Sequence, residues 1–269
     1  MNTTQIEGKL VIVSETIGVS VYDFNFDLYF RTSHPYRFNE EKLCVLRLGA
    51  VGDYEAKYKE MLGHGLRLVN TPEEHLRATE LDKWYPLIED LTPRSMIFDL
   101  LPNSEIVEKN FDWPVFIKGS RQTSKHSAAL SIAKNRIQYE KIKAYYRQDE
   151  ILHWQKPVIR EFVPLKKVAG VVPHQVPTSL EYRSFWWNGN CVGCGRYWYQ
   201  VPMYSTPDLN KGLELAREAA KRVDVPFLVI DFAKTNDGQW IVIECNDGQE
   251  SGYTDIIPQI LWADVLAKL

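Results

Sequence analysis

What the sequence lacks narrows its class before any motif is read. Lys and Arg, 32, nearly balance Asp and Glu, 35, for a net charge of -3, so nothing argues for sequence-independent binding to a polyanion, and nucleic acid is disfavoured as a partner. Long hydrophobic runs are missing: the longest, such as 227–230, fall far short of the ~20 residues that a membrane span requires. The opening Met1-Asn2-Thr3-Thr4-Gln5 lacks the apolar segment of a signal peptide, so a cytoplasmic protein with no membrane partner is expected. Cysteine is scarce, and four in 269 residues read as reduced thiols rather than a disulfide framework. What is present is 45% apolar residues, enough for a sizeable core, without repeats or low-complexity tracts.

Turn residues are spread along the chain, so its organisation follows from the pattern of elements, which defines an α/β protein of three lobes. Lobe one, residues 1–90, has short β-like runs at 10–13, 44–48 and 66–69 and a helical stretch at 54–62 that stops at Gly63 and Gly65. A helix then starts at Thr71, where Thr71-Pro72-Glu73-Glu74 combines an N-cap hydroxyl, a first-turn proline and a capping-box glutamate, and it carries Lys83 near its middle. Lobe two, residues 91–165, contains a strand at 115–118, a Ser/Thr-rich loop at 119–127, a helical stretch to Tyr146 and a strand at 158–163. Lobe three, residues 166–269, has hairpins around Asn188-Gly189 and Asp237-Gly238, a helix from Thr206-Pro207 between them, and a final helix over 256–269.

Spacing within the hairpins places side chains. If Asp237-Gly238 is a two-residue type I′ turn, Asp231 lies opposite Glu244 and Val229 opposite Asn246 on one face. Ile230, Phe232, Ile241, Ile243 and Cys245 then share the other face, while Val229, Ala233 and Val242 surround the carboxylates. Opposed like charges with Cβ atoms ~4.5–5.5 Å apart are destabilising, and poor hydration raises the cost unless a proton or cation intervenes. An exposed polar stripe or one protonated carboxyl would satisfy the pattern. Asn246 adds a neutral oxygen donor beside Glu244, which points instead to a hard divalent cation held by Asp231, Glu244 and Asn246. On that reading Glu244→Gln leaves the unliganded protein as stable or more stable. The same arithmetic at Asn188-Gly189 puts Glu181, Arg183 and Arg196 on one face, either as a surface salt bridge or as an arginine pair for phosphate or carboxylate. Cys191 and Cys194 fall on opposite faces of a regular strand and make no metal site.

In order along the chain stand Asn70, Asp82-Lys83, Pro114-Val115-Phe116-Ile117-Lys118-Gly119, Arg160-Glu161-Phe162-Val163, Glu181-x-Arg183, Arg196, Asp231 and Glu244-x-Asn246. With these residues the chain resembles the ATP-grasp superfamily of ATP-dependent ligases, in its RimK-like or glutathione-synthetase-like branch. The resemblance implies an ATP-grasp fold, with a small N-terminal lobe ahead of two lobes that clasp ATP. It implies that Lys118 and Lys83 hold the phosphates. Glu161-Phe162-Val163 would be the hinge strand whose backbone reads adenine, with Val163 and Leu165 as apolar walls. Asp231, Glu244 and Asn246 would bind Mg2+ or Mn2+, and Glu181, Arg183 and Arg196 resemble the acid and arginines where γ-phosphate meets substrate. The loop after Lys118 departs from the family pattern in having one glycine, so Ser120, Arg121 and Lys125 would take over phosphate contacts in a lid. After Asn246, Asp247-Gly248-Gln249-Glu250 stands where many relatives continue with Pro-Gly.

The activity so implied is ADP-forming ligation of a carboxylate to an amine or other nucleophile through an acyl phosphate, on small-molecule or peptide substrates, with self-association left open. Two other readings fit the same residues. One is a small-molecule kinase. The other is a non-catalytic ATP- or RNA-binding module whose aromatic cluster, Trp186, Trp187, Tyr197, Trp198 and Tyr199, forms a stacking platform.

Overall fold

The computed structural model describes residues 2–14, 22–121, 128–150, 152–173 and 175–269. Its α/β architecture rests on three sheets. The first contains β1 (Asn2–Ile6), β2 (Leu10–Ser14), β3 (Thr32–Ser33), β4 (Lys42–Arg47) and β5 (Leu66–Leu68), in the order β3-β1-β2-β4-β5. Helix α1 (Tyr54–Gly63) is capped by Asp53, whose side chain accepts from Ala56 N at 2.9 Å, and the chain turns back into β5 at Gly65, where φ is +76°.

The capping box at Thr71 is present, and it opens α2 (Pro72–Thr79). The single long helix expected from there is two. At Glu80 the backbone leaves helical geometry, the Leu81 amide donates to Ser120 O at 3.1 Å, and α3 (Leu81–Ile88) begins. Both helices turn away from the first sheet: Ala78, Leu81, Trp84 and Ile88 pack into the core of the third sheet.

The second sheet, in the order β6-β9-β7-β8, consists of β6 (Ser95–Ile97), β7 (Val115–Gly119), β8 (Ile132–Ala133) and β9 (Pro157–Glu161). Helices α4 (Ser104–Asn110), α5 (Ala128–Ser131) and α6 (Arg136–Tyr146) accompany it, and Val107, Tyr139 and Ile142 pack against Val115, Ile117 and Ile159 on one face. The alternate residues Phe116, Lys118 and Arg160 are thereby left for the opposite face.

The third sheet, in the order β11-β10-β12-β13, consists of β10 (Glu181–Trp187), β11 (Asn190–Arg196), β12 (Phe227–Lys234) and β13 (Trp240–Asp247), with helices α7 (Leu209–Val223) and α8 (Pro258–Leu266). Tyr182, Trp186, Ile230, Phe232 and Val242 pack with α7 on one face, where Gly212 lets the helix close on Trp240 and Phe232; a Cβ there would meet both within 2.7 Å. The other face is apolar at one end, where Phe185, Trp187, Phe227 and Val229 meet Trp262. It is charged at the other end, where Glu181, Arg183, Asp231 and Glu244 stand. Trp186, Trp187 and Trp198 are buried, so the aromatic cluster is core and cleft packing rather than a surface platform.

Neither hairpin keeps the register of an ideal turn throughout. Asn188 and Gly189 have positive φ, as a type I′ turn requires, but a bulge between Phe185 and Trp186 moves Arg196 opposite Tyr182. Arg196 therefore leaves the Glu181 face, and Cys191 and Cys194 both pack against the α7-side core instead of facing opposite ways. The second hairpin closes through residues 236–238, with Thr235 N bonded to Gln239 O at 2.8 Å and Gly238 at φ +92°. A compensating bulge at Ile243 restores the pairing of Asp231 with Glu244 and of Val229 with Asn246. The expected pairs are present, but they arise from a longer loop plus an extra residue. The bulge also reverses the expectation for the flanking residues: Val242 packs in the core, and Ile241 and Ile243 face the cleft.

Asn70 joins the first lobe to the third sheet. Its side chain donates to Phe227 O and accepts from Phe227 N, both at 2.9 Å, in a site that excludes water. Asn70→Ala is expected to lower stability by about 2–4 kcal/mol in urea denaturation, since two buried hydrogen bonds are lost together. A loss below ~0.5 kcal/mol would show that this bridge is dispensable.

Candidate active site between the second and third sheets

A cavity of about 690 Å3 opens between the cleft face of the second sheet and the charged end of the third. Phe116, Lys118 and Arg160 come from the second sheet, and Glu161, Phe162, Val163, Pro164 and Leu165 form the connection between the sheets. Ile241, Ile243, Glu244, Glu181, Tyr197 and Trp198 close the far side. Of the residues expected at a nucleotide site, Lys118, Glu161, Phe162, Val163, Leu165, Glu181 and Glu244 line this one cavity.

The opposed carboxylates are not bare. Lys118 Nζ is bonded to Glu244 Oε1, and Arg183 grips Asp231 with a fork, Nε to Oδ1 at 2.8 Å and Nη2 to Oδ2 at 2.7 Å. Burial pulls the Arg183 guanidinium down, and Asp231 more than offsets it, so its pKa is raised. Asn246 Nδ2 lies 3.4 Å from Glu244 Oε2. Two side-chain cations thus meet the repulsion for which a metal ion is expected from sequence, which corrects the expected effect of Glu244→Gln. Among the described residues no group of three or more His, Cys, Asp or Glu could hold a metal. A cation here would take two carboxylates and the amide oxygen of Asn246, a hard-oxygen set that fits Mg2+ once Lys118 yields Glu244.

Glu181 accepts from Trp198 Nε1 at 3.0 Å and from Ser179 Oγ at 3.2 Å, which hold its carboxylate at the cavity wall. Other expected residues are not brought here. Lys83 is exposed on α3, because Leu81, Trp84 and Ile88 take the buried face of that helix. Arg196, displaced by the bulge, pairs with Asp255 at 2.7 Å and sits over Tyr204. Ser120 is buried with its amide on Lys156 O at 2.9 Å, and it does not line the cavity. Lys125 and residues 122–127 of the expected lid lie outside the described residues.

Arg121 belongs to a second polar network around the segment after Asn246. Its Nη2 lies 2.8 Å from His75 Nε2, and His75 Nδ1 lies 2.9 Å from Asp247 Oδ2. Because arginine only donates, His75 Nε2 accepts and Nδ1 carries the proton to Asp247. Glu250 lies 3.5 Å from Arg121 and accepts from Val51 N at 2.7 Å. Burial pushes the Glu250 carboxyl up to about 7, Asp247 adds to the rise, and the Val51 amide and Arg121 oppose it.

These contacts carry two testable outcomes. Glu244→Gln removes the carboxylate opposite buried Lys118 and is expected to cost about 2–4 kcal/mol in the unliganded protein. Adding Lys118→Met should recover more than ~1 kcal/mol in a double-mutant cycle, whereas additive losses would show that the two do not act as a pair. Glu250 has a native pKa above its ordinary 4.5, so the folded state binds the extra proton, and stability falls as pH rises from 4.5 to about 7. Glu250→Gln should flatten that decline, gaining on the order of 1–3 kcal/mol relative to wild type across the window. Parallel denaturation curves at all pH values would exclude this role for Glu250.

Two sheets enclosing a cleft, with a strand-end lysine facing paired carboxylates, are the architecture of an ATP-grasp domain. The chain belongs to the ATP-grasp domain family described as family 3 of its clade, whose model matches residues 101–265, more than half of its length. It is similar in fold to the VanG D-Ala:D-Ser ligase from Enterococcus faecalis (TM-score 0.58, 16% identity, 86% of this chain and 71% of that one). It is also similar to a RimK domain ATP-grasp protein from Sphaerobacter thermophilus DSM 20745 (TM-score 0.54, 12% identity, 78% of this chain and 73% of that one). A third structure is the ATP-grasp ligase PsnB complexed with precursor peptide PsnA2 and AMPPNP (TM-score 0.53, 11% identity, 85% of this chain and 77% of that one). The chain spans from about half to about three quarters of the length of such solved structures. No curated protein matches it by sequence. Among the described residues, no helix is long and apolar enough to cross a membrane.

Proposed function

We propose that the chain is an ADP-forming ligase that activates a carboxylate with ATP and transfers the acyl group to an amine or similar nucleophile. The reading rests on the convergence of Lys118, Glu244, Asp231 and Arg183 at the charged end of the third sheet, beside a cavity whose remaining walls are largely apolar. A D-Ala:D-Ser ligase and a ligase solved with a peptide and AMPPNP among its structural neighbours support a small-molecule or peptide carboxylate as substrate.

In this reading adenine lies between Phe116, Val163, Leu165 and Ile243, and the backbone of 161–163 supplies the polar contacts of the base. Lys118 turns from Glu244 to the phosphates. Asp231, Glu244 and Asn246 hold Mg2+, whose charge offsets that of the phosphate oxygens. Arg183 is fixed by Asp231, by the Gly252 carbonyl at 3.1 Å and by the Tyr197 ring at 5.1 Å, so it needs no reorganisation to stabilise charge on the transferring phosphoryl group. The substrate carboxylate oxygen attacks the γ-phosphorus and ADP leaves; the nucleophile then attacks the acyl carbon and phosphate leaves. Water must be kept out between the two steps, because acyl phosphates hydrolyse.

ADP release is expected to require Mg2+ and a carboxylate, and hydroxylamine should trap the acyl phosphate as a hydroxamate. Phosphorylated product without any dependence on a nucleophile would assign a kinase instead. Asn246→Ala should raise the Mg2+ concentration needed for half-maximal ADP release by roughly tenfold, with a stability change below ~1 kcal/mol, because it removes an uncharged ligand. An unchanged Mg2+ requirement would remove Asn246 from the metal set.

A further inference from the structure

Arg160 has no role in the reading above, yet it is a buried cation in the wall of the cavity, with only 5% of its surface exposed. Two of its three guanidinium nitrogens are taken: Nε donates to Ser95 Oγ at 2.8 Å, and Nη1 donates to Ile243 O at 2.7 Å. Nη2 has no hydrogen-bond partner among the described residues. A buried guanidinium is costly to leave partly unsatisfied, and its position is not accidental, because the two bonds already made fix the plane of the fork. Register places it beside Phe116 on the cleft face of the second sheet, two residues along that strand from Lys118. Burial lowers its pKa to about 10, so it remains charged near neutrality, and Glu244 works against that lowering.

We propose that Arg160 Nη2 donates a charge-assisted hydrogen bond to an acceptor on the nucleotide in this cavity, which makes Arg160 a nucleotide-binding residue that also ties the second sheet to β13. The inference rests on the nucleotide reading of the cavity. Two acceptor types on a purine nucleotide match a guanidinium donor, the phosphate oxygens and the ring nitrogen N7. The same side chain holds the carbonyl of Ile243, next to Glu244, so the residue that contacts nucleotide also fixes the strand that presents the carboxylate.

The test uses the full chain with Mg2+ and three probes, ATP, 7-deaza-ATP and adenosine, each measured by displacement of a fluorescent ATP analogue. Arg160→Met is expected to weaken ATP by about tenfold to a hundredfold. If the acceptor is N7, adenosine weakens with ATP while 7-deaza-ATP is little affected by the substitution. If it is a phosphate oxygen, 7-deaza-ATP weakens with ATP and adenosine is unaffected. A merely structural arginine would weaken all three alike, and that result, or a change in ATP below threefold, overturns the proposal. Arg160→Gln keeps a neutral donor for Ile243 O and should give the same discrimination if Arg160→Met fails to fold. Wild-type protein that does not bind ATP would instead refute the nucleotide reading itself, whereas ATP-binding wild type with an indifferent variant refutes only the role of Arg160.

Discussion

Asp231 and Glu244 stand opposite each other on adjacent strands, and the rest of the site is an answer to that adjacency. Two carboxylates at cross-strand distance inside a cleft repel strongly and are poorly hydrated, so the unliganded protein must neutralise them. It does so with one cation from each neighbouring element, Lys118 from β7 and Arg183 from β10. The two pairs differ in kind. Arg183 is locked to Asp231 by a two-pronged fork and to a backbone carbonyl, whereas Lys118 holds Glu244 through a single nitrogen on a flexible stem. The Lys118 pair is the one that can open without dismantling the sheet. An incoming polyanion offers Lys118 a new partner at the moment that a divalent cation offers one to Glu244, so exchanging partners costs less than creating charge in an empty site.

The third sheet would not hold this arrangement by itself. The first lobe grips the chain immediately beyond Asn246: Arg47 donates to Gly248 O at 2.8 Å, Gln249 O at 3.0 Å and Ser251 O at 2.8 Å, and Leu46 N donates to Gln249 Oε1 at 3.1 Å. Arg47 is itself packed between Tyr22 and Tyr253. Each such bond is worth only ~1–3 kcal/mol net, so their weight lies in specificity: a chain exit tied at this many points cannot slide relative to the strand that carries Glu244 and Asn246. Arg121 extends the same logic to the root of the loop after β7, joining it to His75 and Glu250. A residue expected among phosphate contacts is here part of the scaffold.

Much of this is legible from local pattern. The capping box at Thr71, the type I′ turn at Asn188-Gly189 and the strand ending in Lys118 each follow from residue types at fixed offsets, and each is present. The connection 161–165 is found through its resemblance to a hinge, and it lines the cavity. What spacing cannot supply is any event that breaks a period. Nothing in Phe185-Trp186 or in Ile243 announces a bulge, because an extra apolar residue in an apolar strand keeps the composition unchanged. Arg196 is misplaced for that reason alone. Lys83 fails for another: the break at Glu80 depends on the Ser120 carbonyl, about forty residues away in sequence and therefore invisible to helix propensity. Arg160 stands within the motif that ends at Val163, and only the count of its hydrogen bonds in three dimensions separates it from an ordinary strand residue.

The bulge at Ile243 shows why a broken period is worth keeping. In a regular strand Ile241 and Ile243 would face one side and Val242 and Glu244 the other, so the apolar wall of the cleft and its carboxylate could not come from the same stretch. One extra residue removes the conflict. Val242 and Cys245 stay in the α7-side core, while Ile241, Ile243 and Glu244 all line the cavity. The cost is a disrupted ladder, and Arg160 Nη1 takes the Ile243 carbonyl from across the cleft. The irregularity that brings apolar wall and anion together therefore also links the two sheets, and a change in either sheet's position is transmitted directly to the residue beside Glu244.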